Sequence, residues 1–347
     1  MTTTTAPSSS SPSPVRALGD QAVPLGIAGL VLVAVIASYI WDDTQTTAVA
    51  ARTVREAAPL ILAGLCGVIG ERSGIVNIGI EGQMLLGAFC GFMAASYTVD
   101  QLGGTGALLF GVAMAVVAAS LAGLFLAWTS VGLRMDQIIA GTVINIFGLG
   151  ATSFFFVQGR TMPSVPNWPV PAISEWPLVG RVFFDHGPLT YTAIIAAIGV
   201  HIALFHTRWG LRTLAVGEHP GAADTVGVRV FLLRYVNLTL AGAFAGLAGF
   251  ALLQSASVFN RGMTNGKGFI ALAVVIFGRW RPMGVLGAAM LFGFFNALQA
   301  QLQFRQALDI PPQFFGMIPF VLTIAVLALA GFSARPPAAA GQPYDPD

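Results

Sequence analysis

ERSGIVNIGIEGQ, residues 71–83, lies between two strongly apolar stretches and brings two acids, an arginine, an asparagine and Gly74, Gly79 and Gly82 into one short run. In a water-soluble protein this would be a surface turn. Its surroundings make it something else. The 347-residue chain is 55% hydrophobic and 9% charged, with a mean hydropathy of +0.77, whereas soluble domains carry about 25% charged residues. So little charge cannot cover a surface in water, so lipid is the solvent for much of the chain. The expected fold is an all-α polytopic membrane protein.

A crossing takes roughly 20 apolar residues. Working outward from residues 71–83, candidate spans are 24–41, 54–70, 84–98, 107–131, 138–157, 190–207, 233–254, 269–278, 285–303 and 317–332, giving about ten transmembrane helices. The run 269–278 is too short to cross alone and reads as a half-helix. The run 24–41 follows Arg16 like a secretory signal, but it exceeds a typical signal core and further spans follow, so it is expected to stay uncleaved. Residues 1–22 and 333–347 are low in complexity or rich in Pro and Ala, and are expected to be disordered tails around a transmembrane domain, 23–332.

Arg and Lys set the orientation. Arg208, Arg212 and Arg229 fall in the loop 208–232, and Arg279 and Arg281 in the turn after span 269–278. Placing both in the cytoplasm puts both termini there and leaves the Pro- and Trp-rich loop 158–189 outside. The net charge of +2 includes no basic, aromatic-interleaved patch, so nucleic acid is not an expected partner. Cys66 and Cys90 sit far apart in apolar runs and imply neither a disulfide nor a metal site. His186, His201, His206 and His219 lack metal-ligand spacing, and no catalytic residue cluster is found.

Ala63-Gly64-Leu65-Cys66-Gly67 leads into residues 71–83 and Asn77. Ala245-Gly246-Leu247-Ala248-Gly249 leads into the Gly-rich run 260–268 and Asn265. Five spans separate the two copies on this count, an odd number, which would make an inverted internal repeat. Backbone polar groups inside a bilayer must be satisfied internally, and each charge at its centre costs about 2.5–3.5 kcal/mol on insertion scales. The run 71–83 is therefore either a cytoplasmic turn or a re-entrant break lining a path. The second reading makes Asn77, Glu81, Asn145, Asn265 and Lys267 candidate pathway residues.

The most patterned loop comes after span 190–207. In RWGLRTLAVGEHPGAADTVGVRVFLLRY, residues 208–235, Pro220 is placed to start a short helix and Gly227 to end it. Gly217 to Val228, GEHPGAADTVGV, resembles the cytoplasmic coupling segment of ATP-binding-cassette (ABC) importer permeases of the ribose, branched-chain amino acid and nucleoside family. ERSGIVNIGIEGQMLLGAF resembles the companion motif of its nucleoside or simple-sugar type. The resemblance covers about residues 57–331 and implies a transport subunit with no ATPase site of its own. Gly217, Glu218, Pro220, Ala222, Ala223, Asp224 and Gly227 would dock on a separate ABC ATPase subunit, which would carry the ATP and Mg. A second permease subunit, a paralogue, and an extracytoplasmic substrate-binding lipoprotein complete the implied assembly in a bacterial cytoplasmic membrane. Nucleosides are the expected cargo, with simple sugars or an ion-coupled secondary transporter as alternatives. The run 262–268, GMTNGKG, only imitates a phosphate-binding loop, since it lacks the Gly-Lys-Ser/Thr order.

Overall fold

The computed structural model describes residues 43–169, 179–305, 317 and 335–345. Chain contacts separate residues 1–48 from residues 49–347. The first unit is described only over its last residues, which are helical; the second holds the remaining described residues. The expected spans 24–41 and 317–332 lie outside the described residues, apart from Met317, as does the N-terminal tail 1–22.

The chain forms α1 (Asp43–Arg72), α2 (Ile80–Ala127), a π-helical turn (Trp128–Gly132), α3 (Gln137–Phe154), a short α4 (Val179–Phe183), α5 (Pro188–His206), α6 (Arg208–Glu218), α7 (Pro220–Thr225), α8 (Val230–Ala256), α9 (Lys267–Phe277) and α10 (Pro282–Arg305). Six of the described helices are long and apolar enough to cross a membrane. The second of these runs for 53 residues, Ile80–Gly132, about 80 Å of helix, far more than one crossing. Gly103, at φ 69° and ψ 172°, breaks it into two arms, which match the expected spans 84–98 and 107–131. α9 has 11 residues and is the half-helix read from sequence.

Local chemistry explains where helices start and stop. Asp136 caps α3, its carboxylate accepting from Ile138 N at 2.8 Å and Ile139 N at 3.0 Å. Pro188 opens α5 and Thr207 caps α6. In the loop 158–189, Trp168–Pro169 (β1) and Asp185–His186 (β2) pair antiparallel, with Trp168 opposite His186. His186 is buried and its Nε2 lies 2.7 Å from Val182 O.

The core is made by close helix contact rather than by large side chains. α8 runs along both arms of α2, and its glycines meet backbone directly. A Cβ added at Gly249 would sit 2.0 Å from Met84 O, one at Gly246 2.3 Å from Ala115 O, and one at Gly242 2.3 Å from Ala119 O. Without a hydrophobic drive between helices in lipid, such approach is what dispersion can reward, as the small-residue pattern of 241–249 suggests. Ile138, Val143, Ile146, Phe147 and Phe154 of α3 are exposed instead, an apolar face suited to lipid or to another membrane subunit.

One expectation is overturned. Residues 335–345 do not form a loose tail. Ala340 N donates to Pro337 O at 3.0 Å and Gln342 N to Ala339 O at 3.2 Å, so the segment winds through consecutive turns, and Pro337 and Ala339 are buried. Composition suggested disorder because Pro and Ala offer little apolar area of their own. Here small size is the asset, since Ala339 fits where Gly74 leaves room and donates its N–H to Gly217 O.

Candidate coupling and translocation site

α1 ends at the break 71–83 in a hydrogen-bonded lock. Ile75 N donates to Gly70 O at 3.1 Å and Gly74 N to Glu71 O at 2.9 Å, the paired pattern that closes a helix through a left-handed residue. Gly74 holds that position at φ 88°, and an added Cβ would lie 2.7 Å from Arg234 Nη2, so both conformation and space call for glycine.

The chain then runs extended through Ile75–Asn77 and restarts at Ile80, and neighbouring helices satisfy the freed backbone groups. Val76 N donates to Gln137 Oε1 at 2.7 Å. Asn145 grips the break twice, accepting from Gly82 N at 2.7 Å and donating to Ile78 O at 2.9 Å. Asn77 is fully buried; its Nδ2 donates to Gln83 Oε1 at 3.0 Å and to Cys66 Sγ at 3.3 Å. α3 comes so close that a Cβ at Gly82 would lie 2.4 Å from Ile144 O. Protein thus encloses the break over residues 73–83, and Asn77 and Gln83, both 0% exposed, have none of the one-sided exposure of a surface turn.

Glu81 joins this break to the second one. Its carboxylate accepts from Gly266 N at 2.8 Å and Gly268 N at 2.6 Å, capping the free N–H groups at the start of α9. At the other end of α9, Glu71 accepts from Trp280 Nε1, and Arg72 Nε donates to Trp280 O at 2.9 Å. The two Gly-rich runs paired in the sequence therefore do meet, across α9.

Of the five candidate pathway residues, Asn77, Glu81 and Asn145 lie along the break but bond to different partners. Asn145 and Glu81 bond to backbone groups, and Asn77 bonds through Nδ2 to the Gln83 and Cys66 side chains, its buried Oδ1 having no hydrogen-bond partner among the described residues. Asn265 is exposed in the turn before α9, at φ 43°. Lys267 is half-buried, with Nζ 3.8 Å from Glu56 Oε2. Sequence reading missed Gln83 and Gln137, whose signal was an amide inside an otherwise apolar run. An open cleft of about 320 Å³ lies beyond the ends of α3 and α8, lined by Phe156, Gln158, Val258, Phe259, Asn260 and Arg261.

α6 and α7 stand where α1 ends. A Cβ at Gly217 would lie 2.2 Å from Arg72 O, and Arg72 Nη1 is 3.8 Å from Glu218 Oε1. Trp209 Nε1 donates to Asn237 Oδ1 at 3.0 Å, and Asn237 Nδ2 to Thr213 Oγ1 at 3.1 Å, both Thr213 and Asn237 being buried. These contacts fix α6 on α8. α7 starts at Pro220 and ends at Gly227, φ 84°, where Gly227 N donates to Asp224 O at 2.8 Å and Val228 N to Ala223 O at 3.1 Å; both ends fall where the sequence places them.

α7 has two faces. Ala223 is buried with Val216 and Val230, whereas Gly221, Ala222, Asp224 and Thr225 are exposed and Val226 is 79% exposed. Sequence reading treated Ala222 and Ala223 as equivalent outward residues; helix geometry separates them by about 100°. It also missed Val226, an apolar side chain left bare at the tip of a polar loop. The basic turn Arg279–Arg281 reaches the same end through Trp280 and Arg72, so the two Arg-bearing loops lie together.

The family model described as branched-chain amino acid transport system / permease component matches residues 49–327. The chain is similar to a guanosine ABC transporter permease protein of Bacillus subtilis (strain 168), at 39% identity over 84% of this chain and 94% of that protein. It is similar to a nucleoside ABC transporter permease protein of Lactococcus lactis subsp. cremoris, at 36% identity over 82% and 93% respectively. A Haloferax volcanii permease protein named for glucose ABC transport matches at 37% identity over 80% and 90%. Another guanosine ABC transporter permease protein of the same Bacillus strain matches at 26% identity over 70% of this chain.

Proposed function

The chain belongs to the family of branched-chain amino acid transport system permease components, and from that premise we propose that it is the membrane permease subunit of an ABC importer for nucleosides. The observation that carries the coupling role is α7: a short helix whose base is locked to α1 and α8 while Gly221, Ala222 and Val226 remain exposed. A separate ATPase subunit, holding ATP and Mg, receives this helix in a groove. Movement of α7 passes through Gly217 and Glu218 to Arg72, and from Arg72 to Trp280 at the foot of α9. The coupling segment faces the cytoplasm on this reading, together with residues 335–345 that lie against it. A second permease subunit completes the path, in keeping with the two guanosine permease proteins found in one Bacillus, and an extracytoplasmic binding protein delivers the cargo to the cleft side.

The nucleoside assignment takes its support from the relatives named for guanosine and nucleosides; the relative named for glucose makes simple sugars the alternative. An ion-coupled carrier would need a carboxylate free to bind its ion, and Glu81, the sequence candidate, has both oxygens engaged by backbone N–H groups. The test is uptake of labelled guanosine, adenosine and uridine by cells lacking and then regaining this subunit, with excess ribose or leucine as competitors. ATP-dependent uptake that ribose leaves unchanged is expected. Competition by ribose would move the cargo to sugars, and uptake that survives ATP depletion would overturn the ABC mechanism.

A further inference from the structure

The segment 335–345 touches every part of the coupling apparatus except the face left open for docking. Ala339 N donates to Gly217 O at 2.9 Å, at the end of α6. Ala338 N donates to Glu218 Oε2 at 3.3 Å and Tyr344 OH to Asp224 Oδ2 at 2.9 Å, so two residues of the coupling motif are held from one side. The Tyr344 ring packs with Val216, Ala223, Val228, Val230 and Leu233 beneath α7 and lies 5.8 Å from the Phe231 ring. Arg234, 1% exposed, is covered by the same ring at 5.9 Å and donates from Nε to Ser73 O at 3.1 Å in the break. Finally, Asp345 Oδ1 is 2.7 Å from Arg134 Nη2, just past the π-turn at the end of α2.

We propose that residues 335–345 are a strut that makes α7 and the break 71–83 move as one, with Tyr344 as its positioning residue. This rests on the assignment of α7 as the ATPase-docking helix. The geometry favours a strut over a cover, because the segment lies under α7 on the Ala223 side and leaves Gly221, Ala222 and Val226 exposed. It also favours a strut over a passive filler. The contacts run to three separate elements, the coupling helix, the break at Gly74 and the turn at Arg134, and a segment that only filled space beneath α7 would not need the last two. The exposed Arg134–Asp345 pair contributes little by itself; the backbone bond to Gly217 and the Tyr344 ring carry the link. Without the strut, α7 retains its docking face, its hinge to α6 and the Gly217 and Glu218 contacts with Arg72, but loses the second tie to the break, which runs through Tyr344 and Arg234 to Ser73 and through Ala339 to Gly74.

The test uses the complete transporter in proteoliposomes and reads ATP hydrolysed per nucleoside imported. Removal of residues 335–347 should leave the ATPase co-purifying at the wild-type level and raise that ratio about fivefold or more, the scale of a typical coupling free energy. Tyr344→Phe, which removes only the hydroxyl on Asp224, should raise the ratio by less, with the permease monodisperse and its ATPase bound. An unchanged ratio in both variants overturns the strut. So does faster import after removal, which would make the segment a brake, or loss of the ATPase from an intact permease, which would make it part of the docking face. Failure of the underlying assignment looks different: Ala222→Arg, which leaves the strut untouched, would then still co-purify with the ATPase.

Discussion

Glu81→Gln separates a structural carboxylate from a transporting one. Glu81 accepts two backbone N–H groups, from Gly266 and Gly268, at 2.8 and 2.6 Å. A glutamine keeps one acceptor oxygen for these two donors and turns an NH₂ group toward the other. Hydrogen bonds to charged groups are worth about 1.5–3 kcal/mol each, and a buried donor left without a partner costs about 1–3 kcal/mol. Removing the negative charge from the start of α9 gives up a further ~0.3–1 kcal/mol of helix-dipole attraction. These effects overlap, so a net loss of about 2–4 kcal/mol is expected. At roughly 1–2 °C per kcal/mol for a chain of 347 residues, thermal unfolding in detergent should shift down by about 3–6 °C. Import per folded transporter should stay near wild type if the carboxylate serves to cap α9 through these two bonds. Glu81→Asp keeps the charge but is one methylene short, and should fall between the two. The reasoning is refuted if Glu81→Gln melts at the wild-type temperature and imports nothing, for the carboxylate would then be doing chemistry in transport.

Gly249→Ala should destabilise by about 1–3 kcal/mol or more, because its Cβ lands on the Met84 carbonyl at 2.0 Å; Gly199→Ala, with nothing within 4 Å, should be neutral or gain up to ~1 kcal/mol of helix propensity, and paired melting curves read the contrast. Ala222→Arg should abolish ATPase co-purification from a folded permease, whereas Ala223→Arg should lower the melting temperature as well, because Ala223 is 4% exposed. Burial holds the His186 imidazole below its ordinary value, near 6.5. The unfolded loop therefore takes up a proton first as the pH falls, and the stability present above about pH 6.5 drains away toward the lower, folded value. Protection factors over residues 179–187, taken against the intrinsic exchange rate at each pH, should fall between pH 7.5 and 5.5 in the wild type and lose that dependence in His186→Gln.

Much of the architecture was legible because lipid leaves few ways to satisfy a backbone. Apolar runs located the crossings, Pro220 and Gly227 bounded α7, and the small-residue faces of 241–249 announced the contact with α2. The direction in which a polar side chain turns was not legible. An asparagine in an apolar helix reads the same whether it faces a path or bonds a neighbour, so the two bonds of Asn145 to Gly82 N and Ile78 O could not be read from the sequence. The strut was illegible for a related reason: a Pro- and Ala-rich segment has no periodicity to betray it, and its fit depends on the room left at Gly74 and on the carbonyl of Gly217, which belong to distant parts of the chain.

The chain breaks its helix at residues 71–83, and much of the polar bonding there ties the break to its neighbours, while Asn77 Oδ1 and Gln83 Nε2 stay buried without a hydrogen-bond partner among the described residues. That has a mechanical consequence. α9 is about 16 Å long, roughly half the hydrocarbon thickness, and the break holds it at both ends: Glu81 at the start, Glu71 and Arg72 at Trp280 just past the finish. The left-handed Arg279 and Trp280, φ 54° and 53°, are kept in place by the bonds of Arg279 N to Ile276 O and Trp280 N to Val275 O. A half-helix clamped in this way cannot swing independently of the break, so break and α9 form one rigid piece. Since Arg72 also meets Glu218, a pull on α7, on its proposed role as the coupling helix, would be delivered to that piece as a whole. Opening and closing must then occur where this piece ends and packing is open, beside the exposed turn at Asn265, and not by bending within it. Substitutions that loosen the Arg72–Trp280 end of the clamp, on the side that faces α7, should uncouple transport before they unfold the protein.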